Sequence, residues 1–369
     1  MRLIALHADY LCRHSGVCCA EPWAIPVERV RHARLQSALA SGALRPAHVH
    51  SPFFEPAEGI DPDATAVVGR SGLECVFFEP ARGRLCAIHR DLGHSALPSA
   101  CQHFPRVVAL DPRGVTLSLS HVCPTVGDLL FADAAGWNRF VDRGRVVIDG
   151  LEWSGLDARE ALPPQVNGSL LWDWESMTAF DEHVLDVLGR KSPEQALGVI
   201  DAVATALSRL ENAELHPRVL DAFAEADAMP PPLEPDIASL TELAGRCTSG
   251  GSVAAVPLDR QVREAAESHS EWESVSPQVA CYLAARLLAS PVMYHALDVR
   301  VWSLWMQSCY AVLRSAFARE CTRTGTVSGQ AALKAAAADA DRLLVHRLDS
   351  GRFAAALLTR SALPSSPWR

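Results

Sequence analysis

Cysteine is concentrated in the first third of this chain, where it could bind a metal. Of the 11 cysteines, four are scattered singly through the later part of the sequence: Cys247, Cys281, Cys309 and Cys321. The others lie close together at Cys12, Cys18, Cys19, Cys75, Cys86, Cys101 and Cys123. Thiolates bind zinc tetrahedrally, and four of them hold a typical iron–sulfur cluster. The sequence therefore predicts that these early cysteines include the ligands of zinc or of a 4Fe–4S cluster.

The early cysteines fall into three local groups. Cys12 is followed after five residues by the adjacent pair Cys18 and Cys19, and Pro124 follows Cys123 directly. The middle group is Cys75-x10-Cys86-x14-Cys101. Neighbouring thiols rarely bond to each other, but both can serve one metal centre, or one can bind while the other packs. Spacing alone leaves open which cysteines are ligands.

Some cysteines could simply pack in the core, and some histidines could be further metal ligands. A free cysteine often behaves as a small buried hydrophobe, and we expect this for the four later cysteines, since Cys281 and Cys309 lie in apolar helical stretches. Several histidines near the early cysteines could bind zinc, although surface polarity explains most of them equally well. They are His14, His89, His94, His103 and His121.

Composition restricts the class of protein. The chain has 369 residues, is 49% hydrophobic and carries a formal net charge of −9. This size favours two domains, and the acidic balance argues against nucleic-acid or membrane-surface partners. The N-terminus lacks the apolar core and cleavage site of a signal peptide, and no run of 18 apolar residues occurs. We expect a cytoplasmic protein, in whose reducing environment clustered cysteines favour metal binding over disulfides.

The two parts of the chain differ in their secondary-structure patterns. Residues 1–150 form the predicted cysteine-rich, metal-binding domain, with short strands at 65–68, 115–119 and 145–148 and a turn at Asp149-Gly150. Residues 165–369 form a predicted α-helical domain. Its loops are expected at 229–235 and 248–252, and its helices include 277–288, 295–319 and 330–348. The predicted fold class is α+β, mainly α.

One helix start in the second part is specified by its residues. Ser192 is placed as the N-cap, Pro193 at the first helical position and Gln195 at the third. This is the pattern of a capping box, in which two side chains satisfy backbone N–H groups reciprocally. The sequence therefore predicts a helix that begins at Pro193.

The cysteine-rich segments resemble a known family. The string Cys12-Arg-His-Ser-Gly-Val-Cys18-Cys19, followed by Trp23-Ala-Ile25, is similar to the CxxCxxCC zinc- or iron-chelating family, and more closely to its flagellin lysine-N-methylase branch. The run 85–106 is similar to the branch's second motif through Leu85, Cys86, Ile88, Leu92, Gly93, Leu97, Cys101, Phe104, Pro105 and Arg106. Residues 117–124 resemble its closing motif, which ends on Cys123-Pro124. The resemblance covers residues 9–130 and is weaker over the helical remainder.

The resemblance implies a function as well as a metal. The family implies bound zinc or iron, and the branch implies an iron–sulfur cluster and S-adenosylmethionine-dependent methylation of lysines on bacterial flagellin. Ser15 stands where the family pattern has a cysteine, which is typical of this branch. The sequence has no glycine-rich nucleotide-binding turn after a strand and no CxxxCxxC motif. The alternative is therefore a non-catalytic metal-chelating protein with a metal-handling, redox-sensing or scaffold role.

Overall fold

The structure is a computed structural model, and most of the chain can be described. The described residues are 1–46, 52–57, 64–80, 85–132, 136–148, 153–211, 214–228, 233, 235–248, 270–288, 290–324 and 329–361. The predicted turn at Asp149-Gly150 and most of the predicted loops at 229–235 and 248–252 lie outside these residues.

The strands of the described part are short. In chain order they are β1 (Arg2–Ile4), β2 (Pro26–Glu28), β3 (Phe54–Pro56), β4 (Ala64–Val68), β5 (Arg70–Ser71), β6 (Glu74–Cys75), β7 (Phe78–Glu79), β8 (Leu85–Cys86), β9 (Arg106–Asp111), β10 (Gly114–Leu119), β11 (Phe140–Val141), β12 (Leu156–Asp157), β13 (Gln165–Asn167) and β14 (Leu170–Leu171).

The helices are short before residue 130 and long after residue 173. They are α1 (Ala5–Ala8), α2 (Val17–Ala20), α3 (Arg29–Ser41), α4 (Ala87–Leu92), a 3-10 turn (His94–Ala96), α5 (Ser99–His103), α6 (Pro124–Leu129), α7 (Trp174–Arg190), α8 (Pro193–Ser208), α9 (Leu215–Ala228), α10 (Ile237–Arg246), α11 (Ser270–Ser274), α12 (Ser276–Leu287), α13 (Pro291–His295), α14 (Val299–Thr324), α15 (Gly329–Leu344) and α16 (Ser350–Ser361). The predicted class, α+β and mainly α, is confirmed.

The chain divides into two compact units. One, here called the cysteine unit, comprises Leu11–Arg106 and Val122–Thr125. The other, the helical unit, comprises Met1–Tyr10, Val107–His121 and Val126–Arg369. These bounds differ from the predicted domains 1–150 and 165–369, because the chain begins in the helical unit, leaves it for the cysteine unit and then returns.

A five-stranded sheet explains why the first residues belong to the helical unit. Its order is β11-β1-β10-β9-β12. Strand β1 runs parallel to β10, with Arg2 beside Thr116 and Leu3 beside Leu117, and antiparallel to β11. Leu3 and Ile4 are fully buried. The apolar pair therefore binds the N-terminus to strands that follow it by more than one hundred residues.

The core of the helical unit is built around α14. This helix packs against α8, α10, α15 and α16. Trp302 in α14 meets Phe180 of α7 edge to face, with ring centroids 4.9 Å apart. The predicted capping box is confirmed at the start of α8, where Ser192 Oγ accepts from the Gln195 N–H at 3.2 Å and the Gln195 side chain accepts from the Ser192 N–H at 3.3 Å.

The cysteine unit has a smaller core. Its three-stranded sheet has the order β2-β4-β3, and two hairpins, β5–β6 and β7–β8, follow it. Phe77, between β6 and β7, is fully buried and stacks on Phe53 with ring centroids 5.4 Å apart. Helix α3 covers the sheet and contributes Leu35 to the same core. The hairpins carry Cys75 and Cys86 on its border.

Three secondary-structure predictions change in detail. The predicted strands at 65–68 and 115–119 lie within β4 and β10, but 145–148 is a turn in which Val147 N–H donates to Gly144 O. The predicted helix 295–319 is two helices, because the backbone breaks after His295 and Asp298 then caps α14 by accepting from the Arg300 N–H at 2.8 Å. The predicted helix 330–348 ends at Leu344.

None of the helices in the described part of the chain combines the length and the apolar character that crossing a lipid bilayer requires.

Candidate metal centre

All of the cysteines proposed as ligands belong to one compact unit. Cys12 to Cys101 lie in its first segment, and Cys123 lies in the short second segment, Val122–Thr125. Cys75 and Cys123 are buried, Cys12 is exposed, and the rest are half-buried. The fold therefore collects residues that are up to 111 positions apart (from Cys12 to Cys123) in the smaller of the two units.

The adjacent cysteines lie on the short helix α2. Gly16 precedes this helix with a φ of 76°, in the left-handed region that glycine adopts without strain. The Sγ atoms of Cys18 and Cys19 are 4.0 Å apart, within the range of a thiol hydrogen bond. Helix α2 packs against β6, which carries Cys75. Both thiols of the pair are thus close to the β5–β6 hairpin.

Cys75 and Cys86 lie on successive hairpins, and Cys101 lies on α5. In the β5–β6 ladder Cys75 is paired with Arg70, and in the β7–β8 ladder Cys86 is paired with Phe78. The start of α5 is fixed by Glu28, which accepts from the Ser99 N–H at 3.0 Å. These contacts hold Cys101 on the same apolar border as the hairpin cysteines.

Arg70 joins the segment that follows Cys19 to the hairpin that carries Cys75. Its guanidinium donates to the carbonyl oxygens of Glu21 at 2.6 Å and Trp23 at 3.1 Å, and also to that of Leu73. Guanidinium N–H groups are well suited to several fixed acceptors at once. Arg70 therefore acts as a clamp that holds two cysteine-bearing segments together without using either thiol.

The pKa values indicate that five of the thiols influence one another. Burial, reinforced by the Cys86 charge, raises the pKa of Cys75 to about 12. Burial raises the pKa of Cys101 well above its usual value, and Cys75, Cys86 and Cys18 add to this shift. The pKa of Cys19 is also raised, by its hydrogen bond to Cys18, whereas that bond lowers the pKa of Cys18. A cation placed among these thiols would attract each thiolate and so offset the repulsion between them.

Backbone N–H groups surround one of these thiols. Cys86 precedes α4, and burial raises its pKa, while the N–H groups of His89 and Ile88 oppose that shift. The Phe77 N–H acts on Cys75 in the same direction. N–H groups directed at sulfur stabilise the thiolate form, which is the form that binds metals.

The donor set fits a thiophilic metal by its chemistry. Cys19, Cys86 and Cys101 pack on the apolar cluster that contains Cys75, so the sulfur atoms border a region of low polarity. As the side chains are placed, no three His, Cys, Asp or Glu residues of the described chain are grouped closely enough to hold a metal ion. Binding would therefore require the thiols to turn toward a common centre.

The histidines near the cysteines have different environments. His103 Nδ1 is hydrogen bonded to Ser99 O at 2.8 Å, and His121 belongs to the helical unit. His14 lies next to Cys12, with its Nδ1 4.0 Å from the Cys12 Sγ, and its ring is 5.6 Å from that of His89.

The later cysteines meet the expectation of core packing in three cases, since Cys247, Cys281 and Cys309 are buried.

The helical unit contains a buried polar cluster that the sequence patterns did not indicate. Asp341 is fully buried and accepts from the His121 N–H at 2.5 Å, His121 Nδ1 at 3.0 Å and the Tyr282 hydroxyl at 2.9 Å. The Arg286 guanidinium is 3.2 Å from the same carboxylate. Burial alone would raise the pKa of Asp341, but Arg286 and His121 hold it well below its usual range. Arg286, the single charged residue of the apolar helix α12, was the available signal.

His7 lies against this cluster without hydrogen-bond partners. Both of its ring nitrogens are buried and unpaired, as is His121 Nε2, and the two rings are 6.3 Å apart. Burial lowers the pKa of His7 well below its usual value, and His121 and Arg286 lower it further while Asp341 opposes them. The folded structure therefore favours the neutral form of His7.

The buried neutral histidine gives a prediction for pH dependence. The unfolded chain binds more protons than the folded one below the unfolded histidine pKa of about 6.5. The free energy of unfolding should therefore fall as the pH is lowered through this value, by up to about 1.4 kcal/mol per pH unit for one such group. Urea unfolding is measured at about pH 7.5 and about pH 5.5. Between these two values the free energy of unfolding should fall less for His7→Leu than for the unmodified protein.

The control for this prediction is His216→Leu. The His216 side chain is 42% exposed, so this variant removes a histidine from the helical unit without changing the buried cluster. Identical pH dependence in His7→Leu and the unmodified protein would show that His7 takes up a proton as readily in the folded chain as in the unfolded chain.

A small open cleft of about 20 Å³ lies within the helical unit. Met177, Met293 and Leu287 supply apolar walls, and Asp181, Arg113 and Tyr294 supply polar groups. The hydroxyls of two further lining residues, Thr116 and Ser290, are buried and lack a hydrogen-bond partner. Apolar walls with a few convergent polar groups are the usual composition of a small-molecule site.

Comparison with known proteins identifies no relative. No protein-family model, no curated protein and no solved structure matches the chain. The family resemblance of the cysteine segments thus stays a prediction, and the functional argument depends on the residues and their arrangement.

Proposed function

We propose that the cysteine unit binds zinc or an iron–sulfur cluster through Cys18, Cys75, Cys86 and Cys101. The observation that carries the proposal is that these thiols, from four separate elements, lie close enough to affect one another's pKa, and that Cys75, Cys86 and Cys101 share one apolar border. Sulfur ligands select zinc and iron–sulfur centres over magnesium or calcium. A bound zinc ion would stabilise the fold, and a cluster would add electron-transfer capacity.

Cys19 is assigned a supporting role. Its thiol is within hydrogen-bond distance of the Cys18 sulfur, and its side chain packs on the apolar cluster. Donation from Cys19 favours the thiolate form of Cys18, which is the form that a metal requires. Cys12 and Cys123, which are also predicted ligands, are not needed for a four-thiolate centre.

We also propose that the protein is an S-adenosylmethionine-dependent lysine methylase acting on a flagellin-like protein. Support comes from the family resemblance of the cysteine segments, two of whose aromatic residues, Trp23 and Phe104, are in contact with ring centroids 5.3 Å apart. Methyl transfer needs the neutral amine, and a pocket of low polarity would favour that form by lowering the pKa of the amine. No described residue is assigned as catalytic.

The alternative is a non-catalytic protein in which the metal serves metal handling, redox sensing or scaffolding. The lack of a glycine-rich nucleotide-binding turn in the sequence favours it. A methyl-transfer assay separates the two functions: metal-replete protein is incubated with labelled S-adenosylmethionine and flagellin. Label on flagellin lysines supports the methylase, whereas an unlabelled product supports the alternative.

The metal proposal is tested on protein purified without oxygen. An absorption spectrum and a metal analysis are measured together. A brown protein with a broad band near ~400 nm and about four irons per chain indicates a 4Fe–4S cluster, and a colourless protein with about one zinc per chain indicates a zinc centre. Protein that is folded but contains neither metal would overturn the proposal.

A further inference from the structure

A second group of metal-binding side chains lies near the ends of α2 and α4 in the cysteine unit. The Cys12 Sγ is 4.0 Å from His14 Nδ1, the His14 ring is 5.6 Å from the His89 ring, and the His89 ring is 5.8 Å from the His94 ring. These residues come from the loop before α2, from α4 and from the 3-10 turn. The contacts form a continuous series of one thiol and three imidazoles.

We propose that Cys12, His14, His89 and His94 form a second metal site, which takes one divalent transition-metal ion of the zinc type. One thiolate and three imidazoles are a donor set that zinc accepts, with four ligands in tetrahedral geometry. The site shares no ligand with the four-thiolate centre. The second site is therefore separate from the proposed function. It also gives a role to Cys12, which is not among the four ligands of the thiolate centre.

The distances are close to those of a closed site. With Zn–S near 2.3 Å and Zn–N near 2.0–2.1 Å, a tetrahedral ion places a ligand sulfur and nitrogen roughly 3.6 Å apart and two imidazole centroids roughly 5 Å apart. For these three neighbouring pairs the observed 4.0, 5.6 and 5.8 Å exceed those values by less than an ångström each. As the side chains are placed, no three of the four residues are grouped closely enough to hold an ion, so binding requires them to turn toward a common centre.

The local backbone places the first two ligands together. His14 has a φ of 52°, an unusual left-handed conformation for a residue other than glycine, and its N–H donates to Cys12 Sγ at 3.4 Å. This turn keeps the thiol and the imidazole of two residues on one side of the loop.

The accessibility of the four residues suits an ion that enters from solvent. Cys12 and His14 are exposed, and His89 and His94 are half-buried. Burial lowers the pKa of both half-buried histidines, which favours the neutral imidazole that a metal needs.

The test measures metal content beyond the thiolate centre. Protein whose thiolate centre is already filled is titrated with Co²⁺ and then with Zn²⁺, and bound metal and the visible Co²⁺ spectrum are recorded. We expect one additional ion per chain, with tetrahedral Co²⁺ bands. The double variant His89→Asn/His94→Asn should bind it about tenfold or more weakly, and Cys12→Ala should weaken binding and remove the sulfur-to-cobalt absorption.

The matched control is the double variant His183→Asn/His216→Asn, which removes two partly buried histidines of the helical unit. It should keep the additional ion, and all variants should keep the absorption of the thiolate centre. The proposal is overturned if the unmodified protein binds no additional ion, if the His89/His94 variant binds it with unchanged affinity, or if Cys12→Ala loses the thiolate centre together with the ion.

Discussion

Replacing Cys86 by serine is expected to remove the metal of the thiolate centre and most of the soluble protein with it. Cys86 ends β8, where it pairs with Phe78 of β7, and directly precedes α4, so its position is fixed by two elements of the cysteine unit. A serine hydroxyl is a poor substitute for a thiolate with zinc or iron. Metal binding can supply about 10–16 kcal/mol to the folding of a small metal domain, which exceeds the total stability of many proteins.

The measurement is metal content per folded chain, together with soluble yield. Cys309→Ser is the control, because Cys309 is fully buried on α14 in the helical unit and burial raises the pKa of its thiol well above the usual value. This variant should keep its full metal content even if it loses some stability. Metal loss in Cys309→Ser, or full retention in Cys86→Ser, would contradict the assignment of the centre to the cysteine unit.

Replacing Asp341 by alanine is expected to lower the free energy of unfolding of the helical unit by about 3–5 kcal/mol. The change leaves the buried Arg286 without its carboxylate and removes the acceptor of His121 and Tyr282. Breaking a buried ion pair from one side is costly because the remaining charge has no compensation in the core. Urea unfolding monitored by tryptophan fluorescence measures the loss.

Asp339→Ala provides the matched comparison on the same helix. Asp339 is half exposed and forms an ion pair with Arg342 at the surface, where such pairs contribute up to about 1 kcal/mol. The two alanine substitutions therefore differ in burial but not in chemistry. Equal losses in both variants would show that the buried cluster of Asp341 is not a stabilising centre.

Local signals in the sequence predicted local structure well. The capping box at Ser192 was confirmed because its two hydrogen bonds are formed between residues three positions apart. That prediction needed no knowledge of distant contacts. The cysteine segments were predicted to supply metal ligands; the fold brings five of their thiols within mutual electrostatic range, and metal binding itself stays a prediction.

Contacts between residues far apart in the sequence explain the features that could not be predicted. The run 145–148 has the β-branched residues of a strand, but Val146 instead donates its N–H to Ala8 O, a residue far away in sequence. Strand β1 has three residues, too few for a periodic pattern. Its pairing with β10 places the N-terminus in the helical unit. The buried ion pair of Arg286 and Asp341 likewise joins residues that no local spacing relates.

The pairing of β1 with β10 has a consequence for biosynthesis. Because synthesis proceeds from the N-terminus, β1 leaves the ribosome long before its parallel partner exists, and the whole first segment of the cysteine unit is made in between. The strand's backbone N–H and C=O groups have no ladder partner during this interval, which is the condition in which exposed strands associate with other chains. Prompt closure of the cysteine unit, aided by the metal that we propose for it, would shorten that interval.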